Sequence, residues 1–101
     1  MKAGRILLLK EALEDLEDGK LFYDSHEAGI GDYFQDSLIS DIESLYLYAG
    51  IHGKVEGFYK MYSKRFPYAI YYSFEDNIIK IVAILPLKRD PLWINKKISG
   101  R

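Results

Sequence analysis

Cysteine is absent from the 101-residue chain, which excludes disulfide cross-links, thiolate metal sites and cysteine nucleophiles. Proline is scarce, with three residues, and tryptophan occurs once. Long apolar runs are missing. The run nearest the start, Ile6 to Leu9, is too short for a secretory leader, and Glu11 and Glu14 follow it at once. Nothing approaches the roughly 18 consecutive apolar residues of a membrane span. A soluble domain spanning residues 1–101, in the cytoplasm and without a membrane partner, is the resulting expectation.

Aromatics and charge are present in quantity. Nine tyrosines and five phenylalanines exceed what a small core can absorb, so some should line a binding surface. Net charge is −1, yet its distribution is uneven. Residues 1–53 hold four Lys/Arg against eleven Asp/Glu, and residues 54–101 hold ten against four. The asymmetry suits either a basic partner-binding face or two halves that neutralise each other.

The periodicity separates helices from strands. Arg5 to Lys10 reads as a first strand. Ala12, Leu13, Leu16 and Tyr23 recur near 3.6 residues and predict a helix over Glu11 to Glu27, with Gly19 packed against a neighbouring backbone. After Ala28 to Gly31, Asp32 and Gln35 form a capping-box pattern. The second helix carries Phe34, Leu38, Ile42, Leu45 and Ala49 on one stripe, and Gly50 stops it. Ile51 to Glu56 reads as a polar loop.

From Gly57 the period becomes two, with strands over Phe58 to Phe66, Tyr68 to Phe74 and Ile78 to Leu85. A short helix begins near Pro91. The fold class is therefore α+β, ordered β-α-α-β-β-β, with a helical hairpin on one face of an antiparallel sheet.

Alternation along the strands assigns the faces. Ile70, Tyr72, Phe74, Ile79, Ile81, Ala83 and Leu85 suit the covered side. Lys60, Tyr62, Lys64, Tyr71 and Lys80 then fall on the open side, with Lys88 and Arg89 at the sheet's end. Lysines interleaved with tyrosines suit nucleic acid, but an ordinary solvated sheet face reads the same way. His26 and His52 stand alone in loops and should be solvated, with no ligand spacing around them. No dinucleotide fingerprint or nucleophile elbow is present, so no metal and no cofactor is expected.

The stretch Arg65-Phe66-Pro67-Tyr68-Ala69-Ile70-Tyr71-Tyr72 resembles the central strand of RelE/ParE-type toxins, a plasmid stabilisation family of bacterial type II toxin–antitoxin modules. Phe22-Tyr23-Asp24, followed by Gly29-Ile30-Gly31-Asp32-Tyr33-Phe34, is similar to that family's helical hairpin. Ile81 to Leu85 resembles its last strand, and Lys88-Arg89-Asp90-Pro91-Leu92-Trp93 its ending. The resemblance spans about residues 9–98, in the family's order.

The resemblance implies a growth-inhibiting toxin neutralised by a small cognate antitoxin. It also implies one of two targets, DNA gyrase or messenger RNA on the ribosome. Lys60 matches a basic position of RelE-like nucleases and Arg89 their arginine after the last strand. Tyr62 and Ala69 depart, standing where those nucleases commonly place a lysine and an arginine. The expectation is therefore a toxin that binds a protein target such as gyrase, with Lys60, Tyr62, Tyr71, Lys88, Arg89 and Trp93 as its target- or antitoxin-binding residues. The alternatives are a ribosome-dependent endonuclease, with Lys60, Lys64, Arg65 and Arg89 as catalytic candidates, and a degenerate non-toxic interaction domain.

Overall fold

The change of period at Gly57 falls just after the chain leaves its helices, the sheet resuming at Lys54. A computed structural model describes residues 4–101. Their order is β1 (Arg5–Leu8), α1 (Lys10–His26), α2 (Ile30–Glu43), α3 (Leu45–Tyr48), β2 (Lys54–Val55), β3 (Phe58–Tyr62), β4 (Tyr68–Glu75), β5 (Ile78–Pro86) and α4 (Pro91–Ser99). The sheet runs β1-β5-β4-β3-β2, with β1 parallel to β5 and the other neighbours antiparallel.

The apolar stripes of α1 and α2 cover one face of this sheet. Ala12, Leu16, Phe34, Leu38, Ile42 and Leu45 meet Met61, Ile70, Tyr72, Ile79 and Ile81 in the main core. Burial of this stripe is the force that holds the hairpin down.

The start of α2 differs from the capping-box expectation. Gly29, at φ 93°, is its N-cap, and the helix begins two residues before Asp32. Asp24 on α1 takes over the capping role, because its Oδ1 accepts from the Gly31 amide at 2.7 Å. Gly31 must be glycine for this approach, since a Cβ there would lie 2.4 Å from Asp24 Cγ. Asp32 sits in the first turn and pairs with Lys20 at 3.2 Å. Gly19 is likewise forced, but by the ring of Phe34 rather than by backbone: its Cβ would stand 2.5 Å from Phe34 Cζ.

Three strand readings are corrected. The polar loop over Ile51 to Glu56 contains β2, which turns into β3 through Glu56 and Gly57, both at positive φ, as a two-residue hairpin requires. Strand β3 ends at Tyr62, not Phe66, because Asp41 captures the chain just beyond it. Asp41 accepts from Ser63 Oγ at 2.6 Å and from the Lys64 amide at 3.4 Å.

The third correction is a bulge. Tyr71 pairs with Ala83 but Tyr72 with Ile81, leaving Val82 without a partner. The extra residue reverses the alternation beyond it. Ile79, Ile81 and Ile84 face the hairpin, whereas Ala83 and Leu85 point to the other side. There they form a second core with Ala69, Tyr71 and Val82, covered by Ile94 and Ile98 of α4. The face expected to be open is thus closed by the C-terminal helix over much of its centre.

No helix among the described residues is long and apolar enough to cross a membrane.

Candidate functional site

The residues picked out by charge and aromaticity fall into two groups. The first lies on β3 and its exit. Lys60 pairs in register with Tyr71, and Tyr62 with Ala69. The Lys60 ammonium lies 5.0 Å from the Tyr62 ring centroid and 5.9 Å from that of Tyr71. Tyr62 is 60% exposed, while Tyr71 is 1% exposed beneath Lys60 and α4. Tyr71 therefore offers no accessible ring, which corrects its place on an open face. Burial pushes its hydroxyl above the usual tyrosine value, and neighbouring Lys60 partly opposes that rise.

Lys64 and Arg65 are exposed in the turn after β3 rather than on the strand itself. Lys64 joins Tyr62, Asp41, Ser44, Ile51 and His52 around a shallow hollow of about 430 Å³. His52 is not simply solvated, contrary to the sequence reading. Its Nδ1 lies 2.5 Å from Tyr72 Oη, which also accepts from the Gly50 amide at 3.0 Å. With the Gly50 amide on its oxygen, the Tyr72 hydroxyl is placed to donate to Nδ1 when the imidazole carries its proton on Nε2. Burial lowers the His52 pKa, consistent with this neutral state. His26, the last residue of α1, is exposed, its Nδ1 2.9 Å from the Phe22 carbonyl oxygen.

The second group surrounds a cleft of about 490 Å³ between α1, the end of β5 and α4. Tyr68, Ile84 and Leu85 form its floor, with Lys88, Arg89, Trp93 and Lys97 on one side. Asp90 caps α4 by accepting from the Leu92 amide at 2.8 Å, and Pro91 follows at the first helical position. That cap fixes the approach of Arg89 to the helix. Its guanidinium carbon stands 4.6 Å from the Trp93 ring centroid, and the Lys97 ammonium 5.4 Å from it. Sequence reasoning placed Arg89 with Lys60 and Tyr71 on one surface. In the structure Lys88, Arg89 and Trp93 line the α1–α4 cleft, of which Lys60, Tyr62 and Tyr71 are not part.

Two residues of this region escaped the sequence reading. Asp15 on α1 holds Arg101, whose Nη2 donates to Asp15 Oδ1 at 3.0 Å while Nη1 donates to Oδ2. Asp15 also accepts from the Ile84 amide at 3.0 Å, and Arg101 donates to the Val82 carbonyl at 3.1 Å. The pair thereby satisfies two backbone groups of β5 beyond Ile81, where the pairing with β1 ends. A signal existed: Asp15 lies three residues after Ala12 and four before Gly19, on the helix stripe that is otherwise buried. Tyr68, on the cleft floor, shows no signal in the sequence beyond its place in a strand. Its hydroxyl is pushed up to about 12, chiefly by burial and then by Tyr23 and the carboxylates of Asp15 and Asp18.

The arrangement suits binding better than acid–base chemistry. Near Tyr62 and Lys64 the two groups able to accept a proton are Asp41 and His52. Asp41 already accepts from Ser63, and the His52 nitrogen without a proton already accepts from Tyr72. Asp41 Oδ2 and His52 Nδ1 are thus both engaged within the fold. Among the described residues no group of three or more His, Asp and Glu side chains could hold a metal ion.

No protein-family model matches the chain, and no curated protein matches it. Among solved structures, a chain from one described as "Chromosomal ParDE TA system from P. aeruginosa" superposes with a TM-score of 0.76 at 16% sequence identity. The match covers 83% of this chain and 96% of that chain. The chain therefore has the α+β fold of ParE/RelE-type toxins, with a helical hairpin on a mostly antiparallel sheet and a short C-terminal helix.

Proposed function

We propose that this chain is the toxin of a type II toxin–antitoxin module, neutralised by a small cognate antitoxin, and that it acts by binding a protein target such as DNA gyrase. The fold supports the first part, because the ParDE chain it resembles belongs to a system described as toxin–antitoxin. The mode of action rests on one observation: among the described residues, the proton-accepting atoms beside the cations of β3 and its exit, Asp41 Oδ2 and His52 Nδ1, are already engaged by the hydroxyls of Ser63 and Tyr72. Cleavage of RNA needs a base at the 2′-hydroxyl and cations at the phosphate. Lys60 and Lys64 supply charge only. Ala69, where related nucleases carry an arginine, is 0% exposed and has no route to solvent.

Exposed Tyr62, with Lys60 over its ring, is the feature that favours the ribonuclease alternative, since such a pair stacks and neutralises a nucleotide. Primer extension on messenger RNA from cells expressing the chain separates the two. Growth arrest without position-specific cuts, relieved by the antitoxin, is the expected result. Position-specific cuts that disappear in Lys60→Ala would replace this reading with the nuclease. Unimpaired growth would leave an interaction domain without toxicity.

A further inference from the structure

We infer that the free edge of β3 at Tyr62 takes up a short extended segment of the protein target by strand addition. The segment turns its acids towards Lys60 and Lys64 and its apolar side chains towards the hollow beside Met61. This rests on the protein-target reading above and deepens it by naming the edge used and the chemistry of the segment.

Backbone pairing is the first argument. The next strand out, β2, pairs with Phe58 and Tyr59 alone, and the Gly53 carbonyl then accepts from the Lys60 amide at 2.9 Å. On the inner side, the Ser63 amide donates to the Tyr68 carbonyl at 2.9 Å. Alternation along an antiparallel strand therefore turns the N–H and C=O of Tyr62 outward, where no strand of the described residues lies. Such an edge is a template for an added strand. An added strand alternates its side chains as β3 does. Those beside Met61 and Ser63 point to the hairpin side, into the hollow, whose rim includes Tyr48 at 53% and Ile51 at 72% exposure. Those beside Tyr62 and Lys64 point to the lysine side.

Charge selects the occupant. Lys60, Lys64 and Arg65 take no part in the ion pairs of the described residues. Of the carboxylates nearby, Asp41 lines the hollow but is buried and held by Ser63. Glu43 on α2 and Glu56 in the β2–β3 turn do not line it. An acidic segment is therefore favoured. A second copy of this chain is not. Antiparallel pairing through its own Tyr62 would carry Lys64 towards Lys60, and the opposite edge of the sheet, β1, holds an arginine and no acid. An RNA strand would meet the cations, but it has no alternating apolar groups for Ile51 and Met61. The segment is thus a short protein strand in which acidic and apolar residues alternate.

The test titrates the full isotope-labelled chain with a capped hexapeptide of alternating aspartate and valine. Amide shifts should centre on residues 61–64 and 48–52, around the hollow, and the Tyr62 amide should gain protection from exchange. Replacing the aspartates by lysines should abolish binding. Tyr62→Pro removes the outward N–H without touching a bond to β4. It should raise the Kd about fivefold beyond Tyr62→Ala, the worth of one hydrogen bond. Melting curves confirm that both variants fold, and the shift map of the parent stands without them. In cells expressing the chain alone, Tyr62→Pro should relieve growth arrest more than Tyr62→Ala. Shifts confined to β1 or the α1–α4 cleft, equal binding of the lysine peptide, or equal effects of the two substitutions on the peptide overturn the edge assignment. Binding at the edge with arrest equal in both variants overturns the assignment to the target and leaves the toxin reading intact. No arrest by the parent overturns the toxin reading and the assignment with it. Displacement of the peptide by a short single-stranded RNA gives the edge to nucleic acid and overturns the proposal.

Discussion

Arg101 and Asp15 join the end of the chain to the middle of α1 across the bulge of β5. Their paired hydrogen bonds are supplemented by Val82 and Ile84 backbone groups, and side-chain exposure is 9% and 11%. The carboxylate holds the arginine firmly in its charged form, against the opposing effect of burial. Removing one partner leaves a nearly buried charge and one backbone group, the Val82 carbonyl or the Ile84 amide, without its partner. Arg101→Ala or Asp15→Ala should each cost roughly 2–5 kcal/mol in urea denaturation. The double variant should lose less than the sum of the two. A loss below about 0.5 kcal/mol for both single variants would mean that the pair is ornamental.

The helical stripes and the strand alternation were legible because each repeats a period over several residues, as Phe34, Leu38 and Ile42 do. The bulge was not, since no residue type near Val82 announces an extra backbone unit, and one such residue reverses Ala83 and Leu85. Asp41 was equally silent: a carboxylate on α2 reads as solvated, yet it ends β3 twenty-two residues later in the chain. The candidate site suffered most. Lys60, Tyr62 and Arg89 were visible by type, but their grouping depended on α4, whose two anchoring residues, Ile94 and Ile98, gave no sign of which face they would close.

Gly19 and Gly31 should resist alanine although both lie within helices. Alanine normally stabilises a helix interior by about 1 kcal/mol relative to glycine. At Gly19 the added methyl meets Phe34 at 2.5 Å, and at Gly31 it meets Asp24 at 2.4 Å. Overpacking of roughly 1–3 kcal/mol outweighs the propensity gain. Both variants should therefore melt below the parent. Gly53→Ala, where nothing lies within 4 Å of the new Cβ, provides the matched control and should be neutral or slightly stabilising.

His52 predicts a pH effect with a definite sign. Its folded-state pKa lies below the ordinary 6.5, because burial disfavours the imidazolium. As pH falls through about 6.5 the unfolded chain takes up the proton first. Stability is thus fully present above that pH and declines below it, until the folded form also protonates. Carboxylates contribute their own slope in acid, so the comparison is with His52→Gln. The Tm difference between parent and variant should shrink or reverse between pH 7.5 and pH 5.5. A constant difference over that interval would show that His52 is not titrating against the fold.

Tyr62 and Ala69, paired across β3 and β4, set the last expectation. If the missing cations alone accounted for the proposed lack of nuclease chemistry, Tyr62→Lys should begin to restore it. Lysine fits that site, since Tyr62 is 60% exposed and its removal opens no cavity. It would stand near Lys60 and Lys64 and supply phosphate with another positive charge. Yet the proton acceptors nearby, Asp41 and His52, remain engaged by Ser63 and Tyr72. A well-placed charge-stabilising donor is worth roughly 2.7–4 kcal/mol in a transition state, but only when the attacking oxygen is also activated. Tyr62→Lys should therefore fold with a small loss of Tm, since it removes the contact of Lys60 with the ring, bind RNA more tightly at low salt and produce no position-specific cleavage on primer extension. Ala69→Arg should fail differently. Ala69 is wholly buried against the second core, so a guanidinium there must either stay uncompensated or push α4 away. It should lower the Tm sharply. Cleavage by Tyr62→Lys alone would show that charge was the missing element and that Asp41 or His52 is released when RNA binds.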